Sequence, residues 1–247
     1  MRLTVLGGCG AWPAAGAACS GYLVESAGFR LLVDPGYATL PRLLEHIDAT
    51  AVDAVLVSHG HPDHCADLNP LLRARVFRDD PGASLPVYSV PGALDAVLAL
   101  DRPGLLDTAV DVRAFEPGAP ALVGPFEVST FALPHSVPNV GMRIAADAAV
   151  LAYTGDCGPS DDLLRLAEGA EMLLAESSYA IDVPADAARH LSSAAASGLL
   201  ARHADVGALV LTHLLPETPS ELALDAARER FAGPLRVAAP GLTLDIR

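Results

Sequence analysis

Short runs of consecutive apolar residues, separated by Gly, Pro and acidic positions, dominate this chain. Runs that are apolar without alternation predict strands buried on both faces. The first three cover residues 3–6, 21–25 and 30–33, and Asp34-Pro35-Gly36 stops the third. A fourth covers 54–57, and a fifth 87–90. Apolar positions spaced three and four apart predict helices over 40–47, 68–76 and 92–100. The middle of the chain predicts strands at 110–115, 126–133, 141–145 and 150–153, punctuated by Pro and Gly. Helices follow at 161–167, within the Ala-rich stretch 185–203, and at 220–231. Strands at 172–175 and 209–212 lie between them, and 235–237 and 242–246 read as extended. Helices interleaved with strands predict a layered α/β fold, two sheets covered by helices. No repeat is visible in the residues themselves.

A length of 247 residues with 51% hydrophobic content predicts one domain over 1–247 with a sizeable core. The formal net charge is -14, and there is no lysine. Such a surface disfavours nucleic acid, whose binding depends on Lys and Arg neutralising phosphates. It does not exclude a small anionic substrate, because bound divalent cations would dominate the local field. The N-terminal apolar run is broken by glycines before a signal-peptide core forms, and no stretch has transmembrane length. Cys9, Cys19, Cys65 and Cys157 form no CxxC pair, so a cytoplasmic protein with reduced thiols is expected. Cys65 and Cys157 each follow a candidate ligand. They either line a site or act as small buried hydrophobes, the commoner fate of free cysteine.

Chemistry concentrates at the end of the fourth strand, in His59-Gly60-His61-Pro62-Asp63-His64. Three imidazoles and a carboxylate in one turn supply nitrogen and charged oxygen to a borderline metal. The other strong candidates also follow apolar strands: His135 after 131–134, Asp156 after 151–155, and His213 after 209–212. Residues at strand ends converge on one edge of a sheet, where loops are free to be shaped by function. The set is five histidines and two aspartates. A tetrahedral zinc takes about four ligands, so seven suggest two ions sharing one carboxylate. Two cations roughly 3.5–4 Å apart can stabilise both oxygens of an in-line displacement at phosphorus. His46 and His203 lie in helical stretches and read as solvated or partly packed. The segment 7–20 reads as a loop that could cover or line the site, and it lacks the lysine of a phosphate-binding P-loop.

The 59–64 motif resembles the HxHxDH signature of the metallo-β-lactamase superfamily, and the resemblance spans almost the whole chain. The segment 135–144 is similar to the third-histidine segment of the tRNase Z-like branch. Tyr153-Thr154-Gly155-Asp156 is similar to its bridging-aspartate segment, and Leu211-Thr212-His213 to its final ligand. The resemblance implies a four-layer αββα sandwich. It implies that His59, His61 and His135 hold one metal, Asp63, His64 and His213 the other, and that Asp156 bridges them. Zinc is expected from the nitrogen-rich set, with manganese or iron as alternatives. Glu176 and His190 match two further positions of that branch. His190 is then expected to be the general acid, Glu176 its orienting carboxylate, and Asp63 a group that orients the attacking water. Read without the resemblance, His190 caps a helix and Glu176 is solvated. Homodimers are common in the branch, although nothing in the sequence locates an interface.

The expected activity is hydrolysis of a small phosphodiester such as a cyclic nucleotide or another cyclic phosphate. Members that process tRNA carry an extended arm between the third histidine and the bridging aspartate. Here about twenty residues separate His135 from Asp156, too few for an arm plus two strands. Hydrolysis of a thioester or lactone is the alternative on the same fold. A tRNA 3'-processing endonuclease and a non-hydrolytic redox protein rank below both.

Overall fold

The computed structural model describes residues 1–78, 83–115 and 120–247. Six strands build most of a first sheet: β1 (Arg2–Gly7), β2 (Gly21–Ser26), β3 (Phe29–Val33), β4 (Ala54–Val57), β5 (Leu85–Ser89) and β6 (Val110–Ala114). Seven build the second: β7 (Ala121–Val123), β8 (Phe126–Ala132), β9 (Val140–Ala146), β10 (Ala149–Tyr153), β11 (Met172–Glu176), β12 (Leu209–Thr212) and β13 (Leu235–Val237). The last strand, β14 (Thr243–Asp245), returns to pair with β1. The strand orders are β14-β1-β2-β3-β4-β5-β6 and β13-β12-β11-β10-β9-β8-β7.

The two sheets share one plan. In the first, β14, β1, β2 and β3 pair antiparallel, and β3 to β6 pair parallel. In the second, β7 to β10 pair antiparallel, and β10 to β13 pair parallel. The chain therefore contains two similar halves that residue-by-residue comparison does not reveal. The parallel strands and β8 all run towards one edge, where their C-terminal loops meet.

Strand periodicity explains the continuous apolar runs. Successive side chains point to opposite faces. In β3, Leu31 and Val33 enter the core between the sheets, whereas Leu32 faces the outer helices. In β4, Ala54 and Leu56 face inward, and Val55 and Val57 outward. Helices α1 (Thr39–Leu44), α2 (Pro62–Cys65), α3 (Leu68–Val76) and α4 (Asp95–Leu98) follow strands of the first sheet. Leu43, Leu68, Leu71, Leu72 and Val97 cover its outer face. On the second sheet, α5 (Asp162–Ala167), α6 (Ala194–His203) and α7 (Ser220–Arg228) do the same through small residues such as Ala194, Ala201, Ala223 and Ala227. Alanines let these helices lie close to the sheet and to each other. The result is the αββα layering.

The helix expected over 68–76 is found at those bounds, and others are shorter than their apolar spacing predicts. The stretch 92–100 yields only the single turn of α4, because Gly92 adopts a positive φ of 80°. The Ala-rich stretch 185–203 is helical only from Ala194. Ser193 is extended (φ -130°, ψ 159°) and its side chain accepts from the Ala196 amide, so the helix starts there. Strand β7 is missed by the hydropathy pattern because Leu122 faces solvent. The Cys19, Cys65 and Cys157 side chains are buried, all four thiols are free, and burial pushes Cys65 up to about 12. Among the described residues, no helix is long and apolar enough to cross a membrane.

Phe126 is wholly buried between the sheets and meets Phe29 edge-on at 6.0 Å. Phe126→Ala is expected to cost about 3–5 kcal/mol in urea denaturation, by lost transfer energy and the cavity left behind. A loss below about 1 kcal/mol would show that this face is not close-packed.

Candidate metal centre

The functional side chains gather at the shared edge of the two sheets. His59 follows β4, and His61 caps the one-turn α2, which carries Asp63 and His64. His135 follows β8, Asp156 follows β10, and His213 follows β12. Pro62 at the start of α2 supplies the helical φ that folds 61–65 tightly. His213 itself sits at φ 57°, a left-handed conformation that turns its ring inward from the strand end.

These seven residues form two groups that share Asp156: His59, His61, His135 and Asp156, and then Asp63, His64, His213 and Asp156. In the first, His59 Nε2 lies 3.1 Å from His61 Nδ1, which lies 3.0 Å from His135 Nε2. Asp156 Oδ2 is 3.9 Å from His59 Nε2 and 4.0 Å from His135 Nε2. In the second, His213 Nε2 is 3.1 Å from both Asp63 Oδ2 and Asp156 Oδ2. His64 Nε2 is 3.2 Å from Asp156 Oδ1 and 3.6 Å from Asp63 Oδ2. Metal bonds of about 2.0–2.1 Å in a tetrahedron put donor atoms roughly 3.3 Å apart, so both groups have the right size.

Donor chemistry supports the same fit. His64 Nε2 and Asp156 Oδ1 are buried, face each other and have no hydrogen-bond partner. Two buried polar atoms that face each other unpaired are a place where a cation, a proton or a metal ion, is stabilised. Burial pushes the imidazoles of His59, His61 and His135 down, leaving them neutral donors. For His64 and His213, burial also disfavours charge. It is outweighed by Asp156, with Asp34 at His64 and Asp63 at His213, and both rings are held above the ordinary histidine value. Asp63 and Asp156 are buried carboxylates held ionised, against that burial, by the same imidazoles. The centre is thus a carboxylate field that attracts cations, and a divalent metal answers it more fully than a proton.

The outer nitrogen of four of the five candidate ligand histidines is also engaged. His59 Nδ1 meets Ser58 Oγ at 3.0 Å, and His213 Nδ1 meets Ser178 Oγ at 3.0 Å. His135 Nδ1 donates to the His190 carbonyl at 2.8 Å. His64 Nδ1 donates to Asp34 Oδ2 at 2.8 Å. Such contacts fix tautomer and ring orientation. Asp34 gathers three further donors: Ser58 N at 2.7 Å, Ser58 Oγ at 2.6 Å and Tyr153 OH at 2.7 Å. The Asn139 side-chain amide donates to the Asp156 carbonyl at 2.6 Å.

Sequence reading missed Asp34, Ser58, Tyr153, Ser178 and Asn139 as parts of the centre. Asp34 carried a usable signal, since it ends an apolar strand just as Asp156 does. In the matched halves of the fold, β3 and β10 occupy equivalent places, so the two aspartates are counterparts.

The loop between β1 and β2 lies against the centre. The Ala11 amide donates to Asp63 Oδ2 at 2.8 Å. A Cβ on Gly10 would fall 2.7 Å from His213 Nδ1, so only glycine permits this approach. His46 and His203 are exposed and belong to neither group.

The geometry separates two residues that were expected to pair. Glu176 is buried, not solvated, and it does not hold His190. Its Oε1 accepts from the Ser178 amide at 2.9 Å, its Oε2 has no partner, and no hydrogen bond or ion pair joins it to His190 among the described residues. Burial, with Asp156 nearby, raises the Glu176 carboxyl to about 7. Glu176 instead steadies Ser178, whose hydroxyl meets His213. His190 neither caps nor opens a helix: it lies in the turn before Ser193, the residue that caps α6. Its ring is 6.2 Å from that of His135, edge to face, and its buried Nδ1 has no partner.

Residues 29–214 match the family model described as the beta-lactamase superfamily domain. The chain belongs to the metallo-β-lactamase superfamily. It is 32% identical over 244 residues to a Bacillus subtilis protein named "Probable metallo-hydrolase YhfI", covering 98% of each chain. The crystal structure of YhfI superposes with a TM-score of 0.90, at 32% identity and with 99% of both chains covered. Two more distant structures share the superfamily fold. Human tRNase Z, short form, has a TM-score of 0.79 at 20% identity over all of both chains. A diphosphatase from the PhnP family has a TM-score of 0.77 at 19% identity over 100% of this chain and 98% of that one. Among its relatives is a Methanopyrus kandleri protein named "Ribonuclease Z", 30% identical with 100% of this chain and 98% of that one covered, so within the superfamily this chain has tRNase Z-like relatives.

Asp34→Asn retains a residue that tolerates the left-handed φ of 48° found here. It removes the charge facing His64. Zinc affinity, measured by competition with a chelator, is expected to fall about 10–100-fold. An unchanged affinity in a folded variant would remove Asp34 from the centre.

Proposed function

We propose that this protein is a dinuclear metal-dependent hydrolase of small phosphodiesters, such as a cyclic nucleotide or another cyclic phosphate. The observation that carries the reading is the pair of ligand groups joined through Asp156, with the His190 ring 6.2 Å from that of His135. Five nitrogen donors favour zinc, with manganese and iron as alternatives. Bound at these residues, two divalent ions would supply a lowered pKa for water and polarisation of a phosphoryl oxygen.

The chain's own residues do the rest. His59, His61, His64, His135 and His213 hold the site, and all but His61 are fixed from behind by a close hydrogen bond. Asp63 is anchored by the Ala11 amide and orients the attacking water. His190 is the general acid: a departing alkoxide needs a proton, and an imidazole supplies one near neutral pH. Its position is tied to the centre through its own carbonyl, which His135 grips. Glu176 acts as a positioning residue through Ser178 and His213.

A small substrate fits the β9–β10 hairpin better than tRNA does. The residues between His135 and Asp156 form two strands joined by a tight turn at Asp147 and Ala148, both at positive φ. No arm projects between them. The net charge of -14 also repels a polyanion. Two structural neighbours carry the names of enzymes that act on phosphate-containing substrates.

His190→Ala is expected to lower kcat about 10²–10⁴-fold while metal content stays at two ions per chain by elemental analysis. Loss of metal instead would make the residue structural. A second measurement tests the reaction class. Zinc- and manganese-loaded protein is offered bis-p-nitrophenyl phosphate, cyclic nucleotides, thioesters and lactones. Turnover of the phosphodiesters is expected, and turnover of acyl substrates alone would overturn the reading.

A further inference from the structure

A cleft of about 670 Å³ opens beside His135, between the ends of β5 and β6 and the segment from Thr130 to Val140. Its walls are apolar, and Val90, Phe115, Leu133, Val137 and Val140 supply most of them. Phe115 is held from behind by stacking on Tyr88, with ring centroids 6.2 Å apart and planes 29° apart. The cleft is continuous with the metal centre. His135 lines it and is also a ligand, and Ser136 lines it while its hydroxyl lies 3.5 Å from His61 Nε2. Among the described lining residues the only ionisable one is His135, and none is Arg or Lys. Arg113, which packs over the Tyr88 ring, is engaged by Asp111 at 2.7 Å.

We infer that this cleft is a subsite for an uncharged, planar or apolar substituent of the substrate, so that the preferred diester carries its single negative charge only at the scissile phosphate. The inference deepens the phosphodiesterase reading and rests on it. Charge decides the class. A phosphate seated at the centre is neutralised there, whereas a second anionic group in the cleft would be desolvated against apolar walls with no cation to meet it. The cleft therefore rejects diphosphates and substrates with a further phosphate or carboxylate. Its volume accepts an aromatic or heterocyclic ring, and a ring against Phe115 and Val137 gains from burial of apolar surface. Val137 is half-buried on the loop wall, where a substitution changes the cleft without touching a strand.

The test reads binding, not turnover. Metal-loaded protein is titrated by calorimetry with phenyl methylphosphonate, methyl methylphosphonate and p-carboxyphenyl methylphosphonate. The phenyl ester is expected to bind at least about tenfold more tightly than the methyl ester, the worth of burying a small aromatic surface. The carboxylated ring is expected to lose that advantage. In Val137→Asp the phenyl-to-methyl ratio is expected to fall towards one. Equal affinity for phenyl and methyl esters in the wild type, or tighter binding of the carboxylated ring, would overturn the subsite. So would an unaltered ratio in folded Val137→Asp, with folding checked by circular dichroism. A clear ring preference in a protein that hydrolyses no phosphodiester would leave the subsite standing and sink the phosphodiesterase reading alone.

Discussion

Everything at the functional edge leans on one buried carboxylate, that of Asp34. It accepts from a backbone amide, a serine hydroxyl, a tyrosine hydroxyl and an imidazole, all within 2.8 Å. A carboxylate stripped of water is costly, and four donors offset that cost. Each donor comes from a different requirement of the fold. Ser58 fixes the end of β4 just before His59, and His64 belongs to the second candidate ligand group. Tyr153 ends β10 in the opposite sheet, three residues before Asp156. One side chain thus registers the two sheets against each other at the point where their ligands must meet. The left-handed backbone of Asp34 is the conformational cost of placing it there.

A second contact between the sheets reinforces this registration. Tyr22 OH lies 2.6 Å from Thr212 Oγ1, next to His213, and the Tyr22 and Tyr153 rings meet edge to face at 5.3 Å. Ordinary inter-sheet packing tolerates small slides, because dispersion and apolar burial are not directional. Hydrogen-bonded tyrosines do not. The ligand groups need donor atoms held to within a fraction of an ångström, and directional contacts cluster at this edge while the rest of the core is apolar packing.

On the proposed function, the charge pattern separates binding the metals from binding the substrate. Acidic side chains create a field that calls for cations at the centre, and an apolar cleft beside it offers nothing to a second anion. An acidic chain can therefore handle an anionic substrate provided its negative charge is confined to one group. Glu176 illustrates how burial reassigns a residue. Placed beside Asp156 and away from solvent, it is held near neutrality and steadies Ser178, a role that no motif position discloses.

Predicted strand positions agree closely with the structure, because strands buried on both faces leave uninterrupted apolar runs, as at 31–33 and 54–57. Helix limits were less legible, since caps and positive φ values at Ser193 and Gly92 override apolar spacing. The 59–64 cluster and the strand-end residues His135, Asp156 and His213 were readable because metal chemistry admits few residue types. Asp34, Ser58, Tyr153 and Ser178 were not, because aspartate, serine and tyrosine also have many ordinary uses. By itself the sequence determined which residues could hold metal and the layered fold class that presents them. Only the tertiary structure decided which atoms face one another: the distances inside the two groups that the resemblance had implied, the parting of Glu176 from His190, and the apolar cleft beside His135. Those depend on contacts between residues more than a hundred positions apart in places, such as Asp34 with Tyr153, and local pattern carries no record of such distances.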